Sequence, residues 1–327
     1  QRQMCIRDRY WAERIPSMPL APALPLAKSQ ELLKAPKFVR RKFLLSTEEW
    51  EILKSKSAVK HTTPAMVLLT AYAEVLGRWS TNSRFLVNMP LFDRLSDLDS
   101  IENAIADFTN VLLLTMDCSE NLTFSQRLDN VQKQFREDME YSSYSGVKVV
   151  RELMKIHPDE KVIAPVVFSC NYGHMLIENE FEKTFGKMSY MISQTPQVWI
   201  DFQIFEIEGG LNLSWDCAEE LFAPGMLNDM FEAYKRTIVW LLRQDDWNRV
   251  YDVIPDLAMK RGIDNIVIPT NSNRQLYTGF IEQVQSNRHN IAIIDENDDA
   301  KYTYEELLNK ALKVAAFLKE NGVASGD

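Results

Sequence analysis

The feature that most constrains this chain is an alternating strand expected over 196–206, a glycine turn and a second alternating strand ending near residue 215. Val198, Ile200, Phe202 and Ile204 fall on one face of the first strand, and Trp199, Asp201, Gln203 and Phe205 on the other. Glu208-Gly209-Gly210 is a turn signal, and LNLSW alternates as the hairpin partner. Asp201 interrupts a run that is otherwise largely apolar on both faces. An ionised carboxylate there costs several kcal/mol unless it is paired, hydrogen-bonded or set in a cleft open to substrate and water. The alternative is an edge-strand acid facing solvent.

The sequence before this hairpin predicts a mixed α/β layer domain. Residues 16–26, PSMPLAPALPL, are proline-punctuated and read as an extended strap or linker. Ser46 with Glu49 is a capping-box pattern opening a helix to about residue 56. Thr63 and Pro64 form an N-cap and N1 pair for a helix with Met66, Leu69, Ala73, Leu76 and Trp79 at helical spacing, which reads as core. Residues 84–90, 109–116 and 162–170 read as strands, and 125–141 as an amphipathic helix with Leu128, Val131, Phe135 and Met139 inward. A further helix is expected over 222–243, and the domain over 10–248. The first nine residues, QRQMCIRDR, show neither period and read as a non-native or disordered segment.

A linker is expected over 249–274, where the period is lost around Pro255, Pro269 and TNSNR. Beyond it come a helix at 277–287, a short strand IAIID, a turn ENDDAK and a helix from Thr303 to Asn321. This stretch of 275–327 is too short for a self-sufficient α/β domain and reads as the beginning of one.

Charge and cysteine usage narrow the function classes. The 327 residues carry a net charge of −9 with a pI near 5.2, which argues against an extended nucleic-acid or anionic-membrane surface. The basic stretch Lys37 to Lys42 reads as a solvated face, with docking of a phosphate or an acidic partner as the alternative. Cys5, Cys118, Cys170 and Cys217 are far apart and lack CxxC spacing, as in a reducing cytoplasm. His61, His157, His174 and His289 show no metal-ligand spacing, so no metal site is expected. No apolar run approaches the roughly 18 residues of a membrane span, and no signal peptide is visible.

A second polar side chain is centred in an apolar strand. In APVVFSCNYG, Val166 and Phe168 point one way and Val167, Ser169 and Asn171 the other. A buried serine commonly just bonds a neighbouring carbonyl. No GxSxG elbow and no suitably spaced histidine support a hydrolase triad.

These motifs resemble the heterocyclization domains of nonribosomal peptide synthetases, a branch of the condensation-domain superfamily. The matching stretches are LPLAKSQ, residues 63–79, ADFTNVLLL, SGVKVVREL, PVVFS, SQTPQVWIDFQ and GGLNLSWD, in the family's order over residues 10–245. ADFT with SQTPQVWID is the specific combination. The tail, from LYTGFIEQVQ through YTYEELLNKALKVAAFLKENG, resembles the beginning of an adenylation domain. The implied fold is a chloramphenicol-acetyltransferase-like condensation subdomain, a mixed sheet with helices, followed by an incomplete adenylation start.

The resemblance implies an enzyme that joins a carrier-bound acyl or peptidyl thioester to carrier-bound Cys, Ser or Thr and cyclodehydrates the product to a thiazoline or oxazoline. It implies Asp201 and Ser169 as catalytic. Asp107, Thr109, Asn171, Gln194, Thr195, Trp199, Gln203 and Asp93 are implied as substrate-binding or supporting residues. Ser169 stands where the family usually has Thr, Asp93 where Asn is typical, and Tyr144 where His is common. No stretch occupies the place of the family's DxxxxD motif, so the chain is expected to be the C-terminal half of its domain. The implied partners are upstream and downstream carrier proteins, the N-terminal half and an adjacent adenylation domain, with no nucleic acid and no membrane. No cofactor is expected beyond the carriers' phosphopantetheine, and ATP with Mg belongs to the remainder of the adenylation domain. An ordinary peptide-bond-forming condensation domain and a catalytically silent docking platform are the alternatives.

Overall fold

The computed structural model describes residues 2–33, 36–92, 109–160, 163–173, 179–188, 190–251, 253, 277–295 and 300–323. Two compact units divide between Ile263 and Asp264. The expected linker at 249–274 lies mostly outside the described residues.

The first unit is built on a six-stranded sheet. Its strands are β1 (Phe38–Leu45), β2 (Arg84–Phe92), β3 (Thr109–Asp117), β4 (Val166–Asn171), β5 (Ile200–Ile207) and β6 (Gly210–Ala218), in the order β1-β6-β5-β4-β2-β3. β2, β4 and β5 run parallel to one another, and β1/β6, β5/β6 and β2/β3 are antiparallel. The glycine turn sets the β5/β6 register. Glu208 and Gly209 both take positive φ, 48° and 81°, as a two-residue hairpin loop demands, and Ile207 pairs with Gly210.

Helices cover one face of this sheet. They are α2 (Thr47–Val59), α3 (Pro64–Trp79), α4 (Phe124–Glu140) and α7 (Met226–Arg243). The Ser46 capping box and the Thr63–Pro64 start both form, because each satisfies amide donors that the first helical turn leaves open. Residues 66–73 of α3 are all buried, and Tyr72 lies edge-on to Phe202 and Trp215 at centroid distances of 5.1 and 5.2 Å. Tyr234 of α7 closes the same aromatic cluster, 5.1 Å from Phe202. Two shorter helices also belong to the unit, α5 (Gly146–Ile156) and α6 (Asn179–Phe185). α5 packs so closely on β3 that a Cβ at Gly146 would meet the Val111 carbonyl oxygen at 2.0 Å. Pro16 and Ser17 close a 3-10 turn, Ile15–Ser17; the rest of the proline strap lies outside any helix, and Leu86 and Thr81 donate backbone hydrogen bonds to its Leu20 and Ala23 carbonyls.

Three expectations are corrected. Residues 2–9 are helical, the first part of α1 (Arg2–Arg14), where the sequence shows no period. Tertiary contacts outweigh the polar composition: the Tyr10 hydroxyl donates to Asp138 at 2.6 Å, and Trp11, 1% exposed, donates its indole N–H to the Tyr141 carbonyl. The basic stretch at 37–42 is only partly a solvated face: Lys37 and Lys42 are exposed, but residues 38–42 lie in strand β1, whose pairing with β6 turns Arg40 inward onto Asp216. The strands expected from 162 and 196 begin later, at Val166 and Ile200.

The second unit holds α8 (Thr278–Asn287), β7 (Ile291–Asp295), β8 (Ala300–Thr303) and α9 (Tyr304–Glu320). A capping box at Thr303 and Glu306 starts α9, and Gly322, at φ 84°, follows it. β8 occupies the end of the expected turn and pairs antiparallel with β7. No described residue of either helix is buried, and Val314 and Phe317 are exposed.

Candidate active site

The face of the sheet opposite the aromatic cluster carries polar side chains in rungs. Backbone pairing aligns Arg40, Asp216, Asp201 and Val167 across β1, β6, β5 and β4, with Asn88 of β2 next in line. The next rung is Lys42, Ser214, Gln203 and Ser169, and the third is Leu44, Asn212, Phe205 and Asn171. Period-two alternation turns each set to the same side. The sheet therefore brings Ser169 and Asp201 to one face of neighbouring strands, one rung apart. Gln203 links them: it lies opposite Ser169 and donates its amide N–H to Asp201 Oδ1 at 2.8 Å.

Asp201 is 5% exposed. Burial holds its carboxyl above the ordinary carboxylate range, and the neighbouring Asp216 charge pushes the same way. Hydrogen bonds from the side chains of Ser193 and Gln203, and the Arg40 charge, pull it back. This is a carboxyl able to hold a proton and release it, as an acid/base group must. The Cys170 thiol beside Ser169 is pushed up to about 12 by burial, so it remains a thiol and offers no thiolate nucleophile.

Asn171 shares this face on the third rung, and the other expected residues are dispersed. Trp199 is turned to the segment after the strap, donating its indole N–H to Gln30 Oε1 at 2.8 Å, and Gln30 in turn donates to the Pro196 carbonyl at 2.9 Å. Gln194 and Thr195 are exposed in the segment leading into β5, and Asn171 is half-buried at the end of β4. Thr109 is exposed at the start of β3. Asp93 and Asp107 lie outside the described residues.

Three groups escaped the sequence reading. Asp216, with a fully buried carboxylate, is gripped by Arg40 and by the Ser193 backbone N–H. The signal for it was present: from the turn pair Ile207–Gly210, counting equally along both strands brings Asp201 opposite Asp216. Arg40 was hidden because β1 was not recognised as a strand. Asn88 presents a buried Oδ1 with no hydrogen-bond partner among the described residues, a signal only tertiary packing creates.

Beside the rungs, Arg40, Lys42, Phe205 and Asn212 line a groove of about 390 Å³ together with Met188, Tyr190 and Met191. Among the described residues there is no group of three or more His, Cys, Asp or Glu able to hold a metal ion, and no helix is long and apolar enough to cross a membrane.

Comparison with known proteins agrees with this architecture. A family model described as the condensation domain matches residues 1–246. The chain is 34% identical over 321 residues to pyochelin synthetase PchE of Pseudomonas aeruginosa, covering 97% of this chain and 22% of that protein. It is likewise 34% identical over 322 residues to phenyloxazoline synthase MbtB of Mycobacterium tuberculosis, covering 97% and 22%. The chain thus spans about a fifth of the length of these relatives, at 22%. Among solved structures, the cyclization-docking bidomain of EpoB, a nonribosomal peptide synthetase from Sorangium cellulosum, superposes with a TM-score of 0.69 at 31% identity, over 76% of this chain and 50% of that one. FmoA3, a nonribosomal peptide synthetase solved bound to α-methyl-L-serine-AMP, gives 0.69 at 29% identity, over 99% and 36%.

Proposed function

The chain belongs to the condensation-domain family, and from that premise we propose that it is the heterocyclizing part of a nonribosomal peptide synthetase. In this reading the amine of a carrier-bound Cys, Ser or Thr attacks an upstream acyl or peptidyl thioester, releasing the upstream carrier thiol and forming an amide. The side-chain thiol or hydroxyl then adds to the amide carbonyl. Protonation of the resulting hydroxyl lets it leave as water, and loss of the nitrogen proton completes a thiazoline or oxazoline.

The observation that carries this reading is Asp201. Its buried carboxyl, held above the ordinary range and fixed by Gln203 and Ser193, is suited to donate the proton to the departing hydroxyl. The carboxylate so formed then takes the proton from nitrogen and is ready again. Ser169, one rung away, is assigned to hold the oxygen of the tetrahedral intermediate. The likeness to pyochelin synthetase, phenyloxazoline synthase and a cyclization bidomain supports ring formation over simple condensation. Both substrates arrive on phosphopantetheine arms, so carrier proteins are the partners and no further cofactor takes part.

The second unit is read as the opening of an adenylation domain. Alignment of 99% of the chain with FmoA3, solved with an aminoacyl adenylate, supports this assignment.

The test uses a synthetase that contains this chain, with both carriers loaded. Asp201→Asn keeps amide formation and slows ring closure by about 10²- to 10⁴-fold, so the open aminoacyl product accumulates on the carrier. Intact-mass analysis distinguishes it from the ring, which is lighter by one water. Ring closure at the parent rate makes Asp201 a structural acid and overturns the reading.

A further inference from the structure

Asp216 and Arg40 are not used by the chemistry above, yet they make the tightest polar contacts on that face. Arg40 donates Nε–H to Oδ1 of Asp216 at 2.6 Å and Nη2–H to Oδ2 at 2.5 Å. The side chains are 12% and 0% exposed. A buried ion pair adds little stability over apolar residues of the same volume, because desolvation offsets the attraction. Stability alone is therefore a weak account of it. Its geometry gives a better one. The two-pronged guanidinium fixes the carboxylate plane, and Oδ2 receives a third bond, from the Ser193 backbone N–H at 2.6 Å. The side chain of that same Ser193 also faces the Asp201 carboxyl and lowers its pKa, as a hydrogen-bonding group does. One residue of the segment entering β5 is thus clamped between the two acids.

We propose that the Arg40–Asp216 pair is the positioning device for Asp201: it locks Ser193, and Ser193 holds the Asp201 carboxyl where it exchanges protons with the substrate. This rests on the reading of Asp201 as the proton-transfer group. The charged and titratable groups facing Asp201 are Asp216 from β6, Arg40 from β1 and, through the sheet from α3, the buried Tyr72 phenol, whose own pKa is raised well above its ordinary value. Ser193 and Gln203 contribute uncharged bonds.

The arrangement has a signature that a scaffold role lacks. Asp216 raises the Asp201 value and Arg40 lowers it. Asp216→Asn removes the anion and leaves the cation, whereas Arg40→Gln removes the cation and leaves the anion. The two variants are expected to move Asp201 in opposite directions.

The experiment is a titration of the whole chain carrying ¹³C-labelled aspartate carboxyls, with the Asp201 signal identified by its loss in Asp201→Asn. Asp216→Asn is expected to lower the Asp201 midpoint by about one pH unit and Arg40→Gln to raise it by about as much. Arg40→Lys, which keeps the charge, stays near the parent and serves where Arg40→Gln does not fold. In the synthetase, the pH midpoint of ring formation follows the same order while amide formation does not move. An Asp201 midpoint that stays fixed in both variants, or moves the same way in both, overturns the proposal, as does a Lys variant shifted as far as the Gln variant. Titrations that shift as expected while ring formation keeps the parent pH profile overturn Asp201 as the catalytic acid and leave the coupling standing.

Discussion

The two faces of the six-stranded sheet are made by alternate residues of the same strands and are held by different physics. On one face Phe168, Phe202 and Trp215 meet Tyr72 and Tyr234 at centroid distances of 5.1 to 6.5 Å, in edge-on and tilted contacts. On the other, short directional hydrogen bonds join Arg40 and Ser193 to Asp216 and Gln203 to Asp201, with Ser193 facing both acids. The aromatic face gains from area and dispersion, which accept any well-fitting apolar side chain. The polar face has no such tolerance, because each buried charge there depends on a named partner. Stability is concentrated on the first face and chemistry on the second.

That division breaks most visibly if neighbouring residues behave alike. Phe202→Ala is expected to cost about 3–5 kcal/mol of unfolding free energy, read from the urea midpoint. Gln203→Ala, one residue on and facing the other way, costs about 1 kcal/mol. Equal costs would dissolve the distinction between the faces.

Asp201→Asn sharpens the comparison through pH. A carboxyl whose folded value is raised contributes stability that is full below its unfolded value, about 3.9, and is lost as pH rises through the folded value. The parent is expected to lose stability relative to Asp201→Asn as pH rises from about 4 toward neutrality. Thermal unfolding across that range checks it, and a parent that gains on the variant with rising pH contradicts the burial argument.

Smaller effects belong to the flanks. Ser169→Ala is expected to slow ring formation about tenfold by removing one hydrogen bond, with little change in unfolding. Ser169→Thr keeps the Oγ and restricts its rotamers, so it retains or improves the rate. The smallest effect expected is a slight rise in melting temperature for Glu208→Asn, because Asn accepts the positive φ of 48° more readily than Glu. The exposed bond to Lys187 that it loses is worth little.

Local signals were legible wherever their cause is local. Ser46 with Glu49 and Thr63 with Pro64 start helices because a cap is a contact within one turn of chain. Asp201 stood out because a charge in an apolar strand is anomalous wherever the strand lies. The helix at residues 2–9 was not legible, because its fixing contacts, Tyr10 to Asp138 and Trp11 to Tyr141, reach about 130 residues along the chain at separations of 128 and 130. Nor was the role of Arg40, whose partner Asp216 is 176 residues away.

By itself the sequence determined the alternation that sorts β4, β5 and β6 into an apolar and a polar face, and the turn that pairs β5 with β6. Both follow from steric rules acting over a few residues. Only the tertiary structure decided that β1 closes the edge beside β6, that Arg40 therefore reaches Asp216, and that Ser193 is drawn between the two acids. These are contacts between distant segments, settled by which arrangement buries the most apolar area while leaving every buried charge a partner.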